Sequence, residues 1–298
     1  MIEIHAPQGS PEWKKARAGV ITASNFKLAR SRTGGLTEQQ ASYVHAVRVL
    51  GFSEKAASEH AGYKTTVKPT ANVLRALNGL PVGEASDGAK ALAFRLAVER
   101  ISGEPLDEGF ETWAMTRGHE LEPEARAAHE DRVGDMVEEV GFILTDDRLF
   151  GASADGFRAR RAIGCEYKCF INPDKLRAIL LDDDLSDVTD QVQGGIWIAD
   201  TQSWDFGLYC PALKSIGLDF TLIPVARDDD FIADQQAELM EFARLVDRYE
   251  QGLRSKGLGT HTVTSLPPAN TAAKAAAEAA DEAATPAMPY DIPETIFA

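Results

Sequence analysis

The stretch that most constrains the fold is Gly151-Ala-Ser-Ala-Asp-Gly-Phe157, followed after a short basic run by Gly164-Cys-Glu-Tyr-Lys-Cys-Phe170. Each half reads as a strand end, and the polar run between Arg158 and Ile163 suits a hairpin connection. Side chains alternate along a strand, so Glu166 and Lys168 share one face while Cys165, Tyr167 and Cys169 share the other. Asp155 then sits opposite the second strand, and two acids and a lysine converge.

Two carboxylates can hold a hard divalent cation while a lysine positions an attacking water or helps deprotonate it, a combination suited to phosphodiester hydrolysis. The same charges also make an ion pair on a solvated hairpin, because charged residues usually sit on exposed strand faces. The rest of the chain has to decide between them.

A chain of 298 residues can bury one main domain with additions. It has no apolar run near eighteen residues and no start like a signal peptide, so a membrane role is excluded and the cytoplasm expected. The three cysteines are too few and too badly spaced for a disulfide framework or a zinc site and are expected as packed free thiols. A net charge of -15 argues against nucleic-acid binding by the whole surface. The charge is uneven, however. Residues 1–36 carry Lys14, Lys15, Arg17, Lys27, Arg30 and Arg32 against Glu3 and Glu12, so a local cationic groove on an acidic body is expected.

Ser10 and Pro11 open a short helix that Gly19 stops. A second helix follows over 22–30, and its N-terminus, with the hydroxyls of Thr22 and Ser24 and with Arg17 nearby, suits a phosphate. Simple capping accounts for the same hydroxyls. Residues 36–80 read as three short helical segments, with Thr37 and Ser53 as caps and a turn at Gly62. A short helix, a glycine turn and another helix match a helix-turn-helix, with Lys64, Lys68, Asn72 and Arg75 as candidate DNA contacts; a helical insert without a DNA role fits the same pattern. Through Leu36-Thr-Glu-Gln-Gln40, Glu54-Lys-Ala-Ala-Ser-Glu-His-Ala-Gly-Tyr63 and Val73-Leu-Arg-Ala-Leu77 the segment resembles the DNA-binding part of phage terminase small subunits.

Asp87 is expected to cap the next helix. In Arg117-Gly-His-Glu-Leu-Glu-Pro-Glu-Ala-Arg126, Pro123 is tolerated in a first turn, which puts Glu122 where a helix starts or bends, with Glu120 and Glu124 as competing metal candidates. A strand is expected over 137–144, helices from Pro173 and over 187–199 (with Gln191 and Gln193 as its polar residues of interest), strands over 204–210 and 218–226, and a closing helix over 230–252. This mixture is an α/β layer architecture with a central sheet. Residues 257–298 read as a flexible Ala-rich tail whose terminal apolar peptide, 288–298, is either a docking segment or an unused end.

The motifs Trp13-Lys-Lys-Ala-Arg-Ala-Gly-Val-Ile-Thr-Ala-Ser24, Arg117–Arg126, Ser153-Ala-Asp-Gly156, Glu166-Tyr-Lys-Cys169 and Gln191-Val-Gln-Gly-Gly-Ile-Trp197 occur in an order that resembles the phage lambda exonuclease family, or YqaJ-type viral recombinases. The resemblance implies a restriction-endonuclease-like core, a mixed sheet flanked by helices, built from residues 1–35 and 81–256 and interrupted by the 36–80 insert. It also implies magnesium-dependent digestion of double-stranded DNA from the 5′ end, with manganese as an alternative ion and two ions per site. Asp155, Glu166 and the Tyr167 carbonyl would be metal ligands and Glu122 would complete a second position. Lys168 would orient the water, Gln191 or Gln193 would complete the active site, and Arg17, Thr22 and Ser24 would take the 5′-phosphate. The resemblance further implies a homotrimer threaded by DNA and a single-strand annealing protein as partner, in the cytoplasm of a bacterial host. A site-directed endonuclease and a DNA-binding regulator or packaging adaptor are the alternatives.

Overall fold

The computed structural model describes residues 1–106, 113–169 and 172–258. The tail and terminal peptide lie outside the described residues from residue 259 onward.

The chain opens with β1 (Ile2–Ile4) and α1 (Pro11–Arg17), where Ser10 Oγ accepts the Trp13 N–H and Pro11 occupies the first helical turn. After β2 (Ile21–Thr22) a single 3-10 turn leads to α2 (Phe26–Ala29), a shorter helix than the one expected over 22–30. From β3 (Arg32–Thr33) the chain departs into α3 (Glu38–Arg48), α4 (Glu54–His60) and α5 (Ala71–Leu77), then returns in β4 (Glu84–Ala85), antiparallel to β3. Thr37, Ser53 and Thr70 cap the three helices through their hydroxyls. Tyr43, Ala46, Ala57 and Val73 bury a small core between them.

The helix-turn-helix expected here is not formed by α4 and α5. Gly62 turns the chain at φ +78°, but residues 63–70 separate that turn from α5, whereas the motif joins its helices through three or four residues. Lys64 and Lys68 lie exposed in this connection and not on a helix.

Ser86, one residue earlier than expected, caps α6 (Asp87–Ser102), while Asp87 sits in the first turn, where the helix dipole favours an acid. α7 (Trp113–Val133) runs through Pro123, so Glu122 lies inside a helix and not at its start. A proline removes one N–H···O bond from a helix interior; Leu121 and Ala125, buried against the sheet, hold the helix on either side of that gap. Four strands follow: β5 (Phe142–Leu144), β6 (Phe150–Ala152), β7 (Gly156–Arg158) and β8 (Ile163–Lys168). The chain closes with α8 (Pro173–Leu181), α9 (Thr189–Ala199), β9 (Ser203–Tyr209), β10 (Phe220–Ala226) and α10 (Asp229–Leu258).

The architecture is α/β with mixed sheets flanked by helices. Apart from the β3–β4 ribbon, pairing divides the strands into two four-stranded sheets, β1-β5-β6-β2 and β10-β9-β8-β7. The break falls at Ser153–Asp155, where the chain leaves the ladder between β6 and β7. Within the second sheet β8 runs parallel to β9, and β7 and β8 form the expected hairpin with Gly156 opposite Cys165.

Alternation along β9 separates two cores. Trp204, Phe206 and Leu208 pack into the main core with Phe26, Leu92, Ile196 and Phe242, while Tyr209 lies on the other side with Leu121, Ala125, Cys165, Tyr167 and Phe220. Burying each of these large side chains contributes roughly 1.5–3 kcal/mol. Two glycines let α9 approach closely. A Cβ at Gly195 would lie 2.8 Å from the Trp204 ring, and one at Gly194 would lie 2.6 Å from Phe26. That contact brings the first turn of α9 over Glu166. Among the described residues no helix is long and apolar enough to cross a membrane.

Candidate active site

The break in the strands at Ser153–Asp155 is what assembles the site. Asp155 donates its backbone N–H to Cys165 O at 3.0 Å, while its Oδ2 accepts the Tyr167 N–H at 2.5 Å. The side chain is thereby held against β8. On the same face of β8, Glu166 Oε1 accepts from Lys168 Nζ at 2.7 Å and from Gln191 Nε2 at 2.6 Å. Glu122 enters from α7, steadied by Arg126 at 3.2 Å. These side chains line one cavity of about 560 Å3, together with Arg17, Ser24, Ser153, His119 and the strand end at Tyr167.

The electrostatics of this cavity are unbalanced. Burial pushes the Asp155 carboxyl well above the ordinary range, and repulsion from Glu166 and Glu122 adds to it; Lys168 and the Tyr167 N–H pull the other way without compensating. Glu122 is also raised, mainly by burial, with Arg126 and His119 opposing. Burial works against the Lys168 charge, but Glu166 and Asp155 outweigh it and hold that ammonium above its usual pKa. Lys168 and an Arg126 shared with Glu139 face three carboxylates, and this leaves an excess of negative charge that a divalent cation would relieve. Hard oxygen donors from Asp155, Glu166 and Glu122 are the ligand type that magnesium takes, so the residues present fit such an ion.

At the other end of the cavity, Arg17 Nη1 donates to Ser153 Oγ at 3.2 Å, and its guanidinium stacks 4.1 Å above the Trp13 ring. Ser24 lines the same space. Trp13 and Ser153 had no role assigned from sequence, although each lies inside a quoted motif; the signal was Ser153 standing two residues before Asp155.

Several sequence-based candidates are placed elsewhere. Gln193 is buried, donating to Ala226 O at 2.9 Å and accepting the Asp228 N–H at 3.1 Å. Helical residues advance by 100° each, so Gln191 and Gln193 are about 200° apart and cannot both face the cavity. Thr22 is buried in a local network with Ser24 and Asn25. Arg75 donates to Pro81 O and to Glu241 on α10, and Asn72 donates to Gly34 O, so both tie the helical segment to its surroundings instead of projecting outward. Glu120 pairs with Arg117, and Glu124 accepts from Tyr209 Oη at 2.8 Å.

Behind β8 lies a second polar cluster. Asp205 Oδ2 accepts from His129 Nε2 at 3.0 Å and from Arg158 Nε at 2.5 Å, and His129 Nδ1 meets Tyr167 Oη at 2.9 Å. Donor atoms of His129, Cys165 and Asp205 lie within 4.8 Å of one another. This group does not fit a metal, because Arg158 already places a positive charge on the carboxylate oxygen that would ligate. Burial, reinforced by Asp205, also pushes the Cys165 thiol up to about 12, so it is protonated at neutral pH.

Residues 82–202 match the family model described as the YqaJ-like viral recombinase domain. None of the curated proteins matches the chain. Among solved structures, an alkaline exonuclease (LHK-Exo) from Laribacter hongkongensis is 22% identical and covers 83% of this chain and 98% of its own, with a TM-score of 0.58. The complex of LHK-Exo with dAMP aligns over the same shares at 22% identity, with a TM-score of 0.60. At that identity the likeness is one of fold, the restriction-endonuclease-like fold. The family match spans Glu122, Asp155, Glu166, Lys168 and Gln191 and leaves out Arg17, Ser24 and the 36–80 segment.

Proposed function

We propose that the protein is a divalent-metal-dependent deoxyribonuclease of the YqaJ-like viral recombinase kind, whose domain model matches residues 82–202, and that it degrades duplex DNA from its 5′ end. The observation that carries the proposal is the cavity in which Asp155, Glu166 and Glu122 meet Lys168 and Gln191, with Arg17 and Ser153 at its far end. Bound magnesium or manganese would activate a water and offset charge on the attacking and leaving oxygens of the phosphodiester. Asp155, Glu166 and Glu122 would hold the cation, with the Tyr167 carbonyl as a further ligand.

The remaining roles belong to the chain itself. Lys168, kept cationic by Glu166 and Asp155, would orient the attacking water and offset charge on the phosphoryl oxygens. Gln191 fixes the Glu166 carboxylate through Oε1. Arg17, preorganised by Trp13 and Ser153, offers its guanidinium fork with the Ser24 hydroxyl to a terminal phosphate, and this end recognition biases attack toward a 5′ terminus. The product would be a duplex with a 3′ single-stranded extension, the substrate of a single-strand annealing protein. A homotrimer belongs to the same proposal, and light scattering on the purified protein reads it directly.

The test is digestion of linear, 5′-phosphorylated duplex and of closed circular duplex, with and without magnesium. We expect loss of the linear substrate only, and only with the metal. Cleavage of the circle would replace the exonuclease with an endonuclease, and full activity of Lys168→Ala would overturn the assigned chemistry.

A further inference from the structure

A second charged cavity, of about 490 Å3, lies between the β3–β4 ribbon, the start of α6 and α10. It shares no lining residue with the candidate active site. Its charged lining is Arg32, Arg75, Lys90, Arg244 and Arg248 against Glu84 and Glu241, a local excess of positive charge on a chain whose net charge is -15.

The carboxylates do not satisfy these cations. Glu241 is shared, its Oε2 accepting from Arg32 Nη2 at 2.7 Å and its Oε1 from Arg75 Nη2 at 2.9 Å. Arg32 Nε is buried and has no hydrogen-bond partner among the described residues, a donor left for a ligand oxygen to satisfy. Lys90 makes only long contacts, 3.8 Å to Glu84 and 3.7 Å to Asp87, and both acids are largely in water. Arg244 and Arg248 lie one turn apart on α10, exposed, and among the described residues neither has an ion-pair partner. The cavity therefore presents guanidinium groups from a strand and two helices around a volume larger than one anion. Guanidinium forks approaching from several directions match the oxygens of a phosphate better than a single planar carboxylate.

We propose that this cavity is a phosphate-binding site separate from the reacting centre, and that it holds a backbone phosphate of duplex DNA while another part of the duplex is processed. The duplex as the source of the phosphate rests on the nuclease reading above; the anion chemistry of the cavity does not.

The experiment compares the full chain with Arg244→Gln/Arg248→Gln, both exposed positions at which folding is checked by circular dichroism, and with Arg244→Lys/Arg248→Lys as the charge-preserving control. Steady-state digestion of linear duplex is measured across a salt series, and inorganic phosphate is titrated into each protein by calorimetry. We expect the glutamine variant to raise KM about tenfold, to leave kcat within about twofold, and to lower the slope of log KM against log salt by about 1, for the one phosphate no longer neutralised, with the lysine variant restoring most of the affinity. Unchanged KM and salt slope together with loss of phosphate binding would assign the site to free phosphate. Unchanged behaviour in both arms overturns the site. Should the wild-type chain not digest DNA, the nuclease reading fails while the phosphate titration still decides this one.

Discussion

The two faces of β8 carry opposite electrostatics within one strand. On the cavity face, Glu166 and Lys168 join Asp155 and Glu122, and the chain provides too little positive charge for them, so burial and mutual repulsion hold Asp155 and Glu122 above the ordinary carboxylate range. On the far face, Tyr167 and Cys165 lie beside His129, Asp205 and Arg158, where the one buried carboxylate has two cationic or polar donors. Burial alone would raise Asp205, but hydrogen bonds from His129 and Arg158 outweigh it and keep its pKa below the usual value. A balanced buried network specifies and holds the strand, whereas an unbalanced one is stable only beside a species that restores the balance. The far face is what the fold keeps for itself, and the cavity face is what it holds ready for a ligand.

The largest way to break that contrast is Asp155→Asn, which keeps an acceptor for the Tyr167 N–H and removes the charge. Activity on linear duplex should fall by roughly a thousandfold or more, equivalent to ~4 kcal/mol of lost transition-state stabilisation. In the absence of divalent cations the same variant should melt about 2–4 °C higher than wild type, the shift that ~1 kcal/mol of relieved repulsion gives a chain of this size. A lower melting temperature without metal would mean that the cavity is not electrostatically strained.

On the far face the expected sign reverses. Asp205→Ala strands His129 and Arg158 and should cost about 3–5 kcal/mol, read by urea denaturation. A carboxylate whose pKa is depressed in the fold contributes stability above its unfolded-chain value, roughly 3.9, and loses it as the pH falls through the lower folded value. Wild type should therefore lose stability as the pH drops below about 4, and Asp205→Ala should lose less over the same interval. An unchanged acid limb in the variant would remove Asp205 from that role.

A smaller contrast sits on α9. Gln191→Ala should lower activity about tenfold, ~1.4 kcal/mol, with little change in stability. Gln193→Ala should do the reverse, costing about 1–3 kcal/mol by unpairing the Asp228 N–H and the Ala226 carbonyl, with kcat retained. Equal effects of the two on activity would contradict the placement of their side chains.

The cavity face was legible in the sequence because its rules are local. Alternation over Cys165–Lys168 and a hairpin turn after Arg158 are enough to join Asp155, Glu166 and Lys168. The far face was not, because His129, Tyr167 and Asp205 come from three separate elements and only packing brings them together. Between Gln191 and Gln193 helical spacing allows only one to face the cavity, and Gln193 bonds to Ala226 and Asp228 instead. A count of cations likewise cannot reveal that Arg75 is drawn to Glu241, 166 positions later, at a cavity it shares with Arg32. Ser86 and Asp87 are both good caps in adjacent positions, and only the backbone geometry distinguishes them.

The short ribbon of β3 and β4 has a consequence for how such a chain can change over generations. Thr33 faces Glu84 across the ladder, so the chain re-enters the core at the point where it left, and everything between is topologically a detour. Closing a detour costs entropy that grows only with the logarithm of its length, about 0.6 kcal/mol for each doubling. Insertion, trimming or exchange of that segment can therefore proceed in a lineage without shifting the register of the strands that carry Asp155 and Glu166. Glu241, gripping Arg32 from the core and Arg75 from the detour, marks where that freedom meets a restraint.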